Sequence, residues 1–399
     1  MKKKIAILFE STGGGNYGAQ NAIIERIKHL MALDQYDIDV YMLQQYPRLL
    51  PRLLKHTKKI DKPRTMIVDG ITIKILWYDF FLMDYLLEFK LGMKPIFRNL
   101  CFKKLAKLFC DYDLVSVHML RCGEIAKNVK LRFGIPFTVT WHGSDIHSNP
   151  WLTKNIYDRT KTVLESADMN YFVSQALLNK SEEISTNTKR MVLYNGVDKV
   201  VFYQYSKRRR ALAQAKLGVP SSCYNIAFIG HLVPIKNVLC LPEVFECIKK
   251  QIPDACFHIA GDGLLLKPLR SLCDLHQIPV HFYGRLDKNE MADFYNAIDL
   301  MVLPSLNEGL PLVVVEAKAC GTEVVASRVG GIAEVIGMDN TVALGDGFIQ
   351  ELAGKCIDKY ESSHFFSLSE KFDWKNTALI ENRVYQMILS DSNKMNDHG

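Results

Sequence analysis

The sequence predicts an α/β protein of two doubly wound, mainly parallel sheets that face one another across a cleft. Three observations carry this expectation. Short apolar runs of strand length recur with helical stretches between them, the pattern of repeated strand–helix–strand units. The runs are apolar throughout instead of alternating, which suits strands covered on both faces. The chain has 399 residues, 48% hydrophobic and 23% charged. That is too much for one core and ordinary for two domains of about 150–200 residues each.

The elements follow in order. Residues 4–9 read as the first strand, followed by Gly13, Gly14, Gly15 and Gly18. A helix is expected over about residues 20–31, with Ala22, Ile23, Ile27 and Leu30 on one face. Residues 38–43 complete a strand–helix–strand unit, and further strands are expected at 113–118, 137–141 and 169–173. After a turn at Asn195-Gly196-Val197-Asp198 a second round begins, with strands at 225–229, 255–260, 280–282, 300–303 and 323–326. Residues 207–217 read as a solvated helix joining the halves, and the polar tail after Ser392 as frayed. The expected domains are 1–198 and 199–372, both Rossmann-like. Ligands of such sheets lie beyond the carboxyl ends of the strands.

This composition excludes disordered and collagen-like classes. The net charge of +7 is uneven: residues 1–199 hold 30 Lys and Arg against 20 Asp and Glu, residues 200–399 hold 20 against 23. The first half is therefore expected to meet an anionic surface or substrate. The ten cysteines form no CxxC pair, and those in apolar runs, such as Cys101, Cys240 and Cys256, read as buried free thiols in a reducing compartment. The start Met1-Lys2-Lys3-Lys4 leads into too short an apolar run for a secretory signal. The most apolar stretch, 75–89, is interrupted by Asp79, Asp84 and Glu88, too charged to span a bilayer. A cytoplasmic protein is expected.

Several segments carry chemistry. Gly13-Gly14-Gly15-Asn16-Tyr17-Gly18 matches G-x-G-x-x-G after a strand and before a helix. A dinucleotide site also needs an acid after the second strand, where Leu43, Gln44 and Gln45 stand instead. What remains is close backbone approach to an anion at a helix start. The segment Leu303-Pro304-Ser305-Leu306-Asn307-Glu308-Gly309-Leu310-Pro311 ends a strand and opens a helix at Pro311, whose missing N–H suits the first helical position. The free N–H groups of Leu312 and Val313 then favour a diphosphate. Glu308 and Glu316 can face the same helix mouth and accept sugar or ribose hydroxyls, or else Glu316 pairs with Lys318 or Lys236. Lys236, in the loop opened by Gly230 and His231, is placed to neutralise a leaving diphosphate. His142 ends a strand ahead of Gly143 and points to the cleft, or else it bonds a neighbouring carbonyl. No His/Asp/Glu grouping has metal spacing, and Asp262 between Gly261 and Gly263 reads as a turn.

Together these segments resemble the retaining glycosyltransferase family four, of the GT-B fold. The resemblance runs through the glycine loop at 13–18, His142-Gly143 with Asp145, Asn195-Gly196-Val197-Asp198, Gly230 to Lys236, Gly261-Asp262-Gly263, Tyr283-Gly284-Arg285, and most specifically Glu308 with Glu316. It implies that Glu308 and Gly309 contact the donor sugar and that Glu316 binds the ribose. Lys236 would hold the diphosphate, which Gly14 or Gly15 approaches, and Gly284 with Arg285 would hold the base. His142 would line the reacting sugar. Phe372-Asp373-Trp374 resembles the start of a last helix, at about 373–390, that returns to complete the first domain. The family usually has Arg where this chain has His231, so His231 or Arg285 is expected to supply the second cation. Helix N–H groups, Lys236 and His231 would stabilise the leaving group without a metal or other cofactor.

The acceptor side is read from two basic stretches, 48–64 with seven Lys and Arg and 90–107 with six and no acid, each interleaved with apolar residues. They suit either a solvated helix face or a peripheral contact with an anionic membrane. The second reading makes a glycan or polyprenyl-linked acceptor the expected partner, as in capsule, exopolysaccharide or lipopolysaccharide assembly; no nucleic acid is expected. A non-catalytic GT-B subunit and a nucleotide-sugar epimerase are the alternatives. The retained Glu308, Glu316 and Lys236 speak against the first and the Glu308 segment against the second.

Overall fold

The computed structural model describes residues 2–11, 17–47, 62–361 and 368–396. The chain divides into two compact units, Met1–Tyr194 with Lys375–Gly399, and Asn195–Trp374.

The first unit is built on an eight-stranded sheet ordered β3-β4-β2-β1-β5-β6-β7-β8. Its strands are β1 (Lys3–Glu10), β2 (Tyr36–Pro47), β3 (Thr65–Val68), β4 (Ile71–Phe80), β5 (Leu114–His118), β6 (Phe137–Trp141), β7 (Met169–Phe172) and β8 (Arg190–Val192). Only β3 runs antiparallel to its neighbour. Ile5, Ile7 and Phe9 of β1 enter one core with Ile23 and Ile27 of the helix Tyr17–Met31 and with Tyr385 and Leu389 of the helix Trp374–Asn396. Each such side chain contributes about 1.5–3 kcal/mol by leaving water. The last helix is also tied by charge. Arg26 Nε donates to Glu381 Oε2 at 2.6 Å, both side chains buried, and Tyr385 OH donates to Glu381 Oε1 at 2.5 Å. The helix Met119–Phe133 stops at Gly134, whose φ of 71° closes it as a left-handed cap.

The second unit holds a six-stranded, all-parallel sheet ordered β11-β10-β9-β12-β13-β14. The strands are β9 (Tyr224–Ile229), β10 (Ala255–Ala260), β11 (Val280–Gly284), β12 (Leu300–Leu303), β13 (Glu323–Ser327) and β14 (Thr341–Val342). Where the chain enters and leaves this unit, Val197 N donates to Phe372 O at 2.9 Å. A Cβ on Gly196 would sit 2.2 Å from Trp374 N, so the close approach requires glycine there.

Several expectations need correction. The helix Lys207–Leu217 does not join the halves. Its Ala213 and Gln214 are buried, and Gln214 Nε2 donates to Ala297 O at 3.0 Å, so it is part of the second unit. Strands β3, β4, β8 and β14 were not anticipated. Of the thiols, Cys122, Cys273, Cys320 and Cys356 are buried, but Cys101, Cys240 and Cys256 are only half-buried and Cys110 is exposed, because their runs lie at helix edges and strand ends. No described helix is long and apolar enough to cross a membrane.

Candidate active site

Both sheets reverse their direction of growth once, between β1 and β5 in the first unit and between β9 and β12 in the second. Open α/β sheets bind ligands in the crevice outside the carboxyl ends of the strands at such a break.

In the second unit the loops after β9 and β12 flank the break. The β9 loop turns at Gly230 (φ 151°) and carries Lys236 at the end of the short turn Pro234–Lys236, ahead of Asn237 in the left-handed region. The loop after β10 lies hard against it. A Cβ on Gly261 would stand 1.9 Å from Gly230 O, and one on Gly263 would stand 2.4 Å from Leu232 O. Asp262 accepts from Gly263 N at 2.7 Å, which makes it a turn residue, as expected. Leu306 N donates to Ile235 O at 2.8 Å and so stitches the β9 loop to the β12 loop. On that scaffold Lys236 Nζ donates to Glu308 Oε1 at 2.5 Å, and Ser305 Oγ donates to the same oxygen at 2.7 Å. The side chains of Lys236 and Glu308 are 19% and 11% exposed, so the pair is sheltered yet reachable. Gly330 underlies it, since a Cβ there would meet Glu308 O at 2.0 Å, and Gly331 N donates to Gly309 O at 2.7 Å.

The helix that follows spans Leu312–Ala319, with Pro311 at its cap position and not at its first helical residue. Proline's fixed φ suits both places, but the ψ of 124° at Pro311 is extended, so the helix starts one residue later than expected. The half-buried Leu312 and Val313 therefore supply the first two N–H groups, which have no intrahelical acceptor. Val314 N turns back to Pro311 O at 3.2 Å. Glu316, one turn in, takes the hydroxyl of buried Tyr295 on Oε2 at 2.9 Å. Of the two lysines weighed as partners of Glu316, Lys236 goes to Glu308, and buried Lys318 reaches Glu323 at 3.2 Å. His231 sits half-buried in the same loop as Lys236, whereas Arg285 is exposed after Gly284 (φ 68°) at the end of edge strand β11.

In the first unit Gly14 and Gly15, like most of the glycine loop, lie outside the described residues. His118 ends β5 and His142 follows β6, and the expected carbonyl partner of His142 is replaced by the other ring: His118 Nδ1 and His142 Nε2 are 2.9 Å apart. Asp145 locks the turn, accepting from Gly143 N at 2.8 Å and from His142 N at 3.0 Å. Burial, and then the positive Arg26, push His142 down to about 3, and burial, then the His142 ring and Arg26, push His118 well below its ordinary value. Both imidazoles are therefore neutral near pH 7. One ring donates and the other accepts, which leaves the outer nitrogen of His142 to bond a hydroxyl but not to act as an acid. Burial also raises Asp145 to about 6, against the four backbone N–H groups that favour its charge.

Sequence reasoning notes His118 at a strand end without giving it a role, and passes over the roles of Ser305, Tyr295 and the ion pair of Arg121 with Glu10, which also sits at the β1–β5 break. His118 had a legible signal, a polar residue ending a buried strand. Tyr295 and Arg121 are helical positions whose direction depends on packing.

Known proteins resemble this chain in sequence and in fold. Residues 210–373 match the family model described as glycosyl transferases group 1, and residues 18–200 match the one described as glycosyltransferase family 4. A Bacillus subtilis glycosyltransferase, TuaC, provisionally assigned to teichuronic acid biosynthesis, is 28% identical over 70% of this chain and 72% of its own. A D-inositol 3-phosphate glycosyltransferase of Catenulispora acidiphila is 26% identical over 70% of this chain and 72% of its own. Among solved structures, a sucrose-phosphate synthase of Thermosynechococcus elongatus superposes with a TM-score of 0.69 at 18% identity, covering 98% of this chain and 100% of that one. Anabaena HepE in complex with UDP superposes with a TM-score of 0.66 at 19% identity, over the whole of both chains. At such identities the structures speak for the fold.

Proposed function

The chain belongs to glycosyltransferase family 4, matched by family models over residues 18–200 and 210–373, and from that membership we propose that it moves a sugar, with retention of configuration, from a nucleoside-diphosphate donor to a glycan or polyprenyl-linked acceptor in cell-surface polysaccharide assembly. The family and the fold are shared ground; donor, acceptor and stereochemistry are this reading. The observation that carries it is the Lys236–Glu308 pair, sheltered at the β9–β12 break beside an open helix start.

Breaking the bond to a diphosphate leaves negative charge on the leaving group and oxocarbenium character on the sugar. Lys236 and the N–H groups of Leu312 and Val313 meet the first charge, preorganised and without a metal. Glu308 and Gly309 hold donor-sugar hydroxyls, and Glu316, already steadied by Tyr295, holds the ribose. His142, neutral and backed by His118, is suited to bond a sugar hydroxyl. His231 supplies the second phosphate contact in place of Arg285: β11 lies three strand spacings from β12, about 14 Å, whereas β9 is its neighbour. Gly284 and Arg285 are left to the base. Uridine diphosphate sugars are the first donors to test, given the HepE complexes with UDP and UDP-glucose. TuaC's assignment supports the cell-surface setting, and a lipid-linked acceptor brings the protein to the inner membrane face as a peripheral partner.

A thermal-shift screen against nucleoside diphosphates tests the reading. A ligand at a hundredfold its Kd should stabilise by about 2.7 kcal/mol, and it should keep doing so in EDTA. No shift with any nucleoside diphosphate, or a shift only with added metal, contradicts it.

A further inference from the structure

The stretch 82–110, between β4 and β5, folds inside out. Its two acids are buried, Asp84 at 4% and Glu88 at 3% exposure, while Leu86, Phe89, Met93, Ile96, Phe97 and Leu100 are each 39–59% exposed. The arrangement is built, not loose. Asp84 caps the helix Ile96–Leu105, accepting from Phe97 N at 3.1 Å and Arg98 N at 2.7 Å. Glu88 takes both ends of the buried Arg98 guanidinium at 2.9 Å, and Arg159 bridges Glu88 to Glu124. Arg98, expected as part of a basic face, thus points inward, and Phe102 enters the core. Of the other basic stretch, 48–64, residues 48–61 lie outside the described residues.

Tucking both acids away leaves one sign of charge outside. Lys90, Lys94, Lys103, Lys104 and Lys107 are exposed, and within residues 82–110 no acid is. On the helix Ile96–Leu105 the exposed apolar residues occupy the first turns and the lysines follow at its end. Arg132 Nη1 donates to Lys103 O at 2.8 Å, which sets the end of its own helix, with Leu131 75% exposed, beside this face.

We infer that this face is a docking element for an anionic lipid bilayer. Large apolar and aromatic side chains ringed by lysines suit the boundary between headgroups and acyl chains. Protein–protein interfaces, by contrast, are depleted in lysine. The inference deepens the proposed function and rests on its lipid-linked acceptor for its purpose, though docking itself needs neither donor nor acceptor.

The test is co-sedimentation of the full chain with vesicles of phosphatidylglycerol and phosphatidylcholine in equal parts, against phosphatidylcholine alone. The wild type should pellet with the mixed vesicles only, and high salt should release it. Replacing Lys103 and Lys104 by Gln should weaken binding by about fivefold for each lysine and leave donor hydrolysis unchanged. Phe97→Ser with Leu100→Ser should abolish pelleting while circular dichroism shows an unchanged melting curve. Lys236→Ala should pellet like the wild type while losing turnover, which separates docking from catalysis. If the wild type pellets but turns over no donor, docking stands and the transferase reading falls. A wild type left in the supernatant, equal binding to neutral vesicles, or binding indifferent to these substitutions overturns the inference. So does a change from dimer to monomer in the Phe97/Leu100 variant with vesicle binding intact, which would give the face to a second copy of the chain.

Discussion

At the β9–β12 break a lysine and a carboxylate bond one another, while at the β1–β5 break two imidazoles do so. The topology is alike: each sheet grows outward in both directions from the break and leaves a crevice at its strand ends. The side chains set there differ in how they manage charge. In the second unit close-packed glycines let four loops converge, so a full positive charge is held sheltered with a partner that a ligand can replace. In the first, burial and the Arg26 guanidinium keep both rings uncharged, and Asp145 secures the backbone of the His142 turn. A crevice is thus supplied by sheet order alone, whereas its chemistry comes from what the loops hold. A diphosphate calls for the charged arrangement, a sugar hydroxyl for the neutral one.

The largest effects should fall on the charged pair. Lys236→Ala and Glu308→Ala should each lower turnover by roughly 10²–10³, measured as nucleoside diphosphate released. Because the two side chains touch, the double variant should lose much less than the product of the two. Additive losses would mean the pair does not act as a unit.

Stability offers the next test, and here the first unit is the more exposed to damage. Arg26→Leu strands Glu381 without its cation among buried neighbours, and should cost about 3–5 kcal/mol in chemical denaturation. Replacing both partners by leucine should restore most of it. If the single variant costs no more than a surface change, the last helix is not held as described.

How far the sequence made these features legible varies with the kind of signal. Residues 137–141, 255–260 and 300–303 read as strands because apolar runs of that length have one ready use, and the observed bounds agree. Strand β4 carried a signal as well: Ile71, Ile73 and Ile75 alternate with Thr72 and Lys74 in the manner of a half-covered strand, and all three are buried. Lys236 and Glu308, 72 residues apart, could be proposed separately from their loops. That they bond each other could not, because it depends on the register fixed by the contact of Leu306 N with Ile235 O. Arg26 and Glu381 are 355 positions apart on two helices, and only packing brings them together. The inward turn of Arg98, Asp84 and Glu88 is hidden for a related reason, since a charged residue's usual place is outside.

A smaller difference should separate the two candidate second cations. His231→Ala should weaken nucleoside diphosphate binding about tenfold and Arg285→Ala by less, in keeping with one charged contact kept or lost. The reverse order would move the diphosphate toward β10 and β11.

The smallest effect is in the pH dependence of stability. Because His142 is depressed to about 3, the unfolded chain holds a proton there, between that value and its ordinary one, that the folded chain lacks. Stability from this group therefore falls on acidification. Asp145, raised to about 6, does the opposite: the folded chain keeps a proton that the unfolded chain releases, so its buried charge costs stability as pH rises toward 6. The two slopes offset in the wild type. Asp145→Asn should make the loss of Tm between pH 6 and 4 steeper, and His142→Gln should make it shallower. Identical curves would mean neither group titrates abnormally.

The central claim is that the Lys236 ammonium at the β9–β12 break is the contact on which a nucleoside diphosphate depends. Titration calorimetry of the wild type and Lys236→Ala with UDP and GDP tests it most directly. One of the two nucleotides should bind the wild type and lose at least about tenfold in affinity in the variant, roughly 1.4 kcal/mol, with circular dichroism showing both free proteins folded. Equal affinity in the two proteins would contradict it.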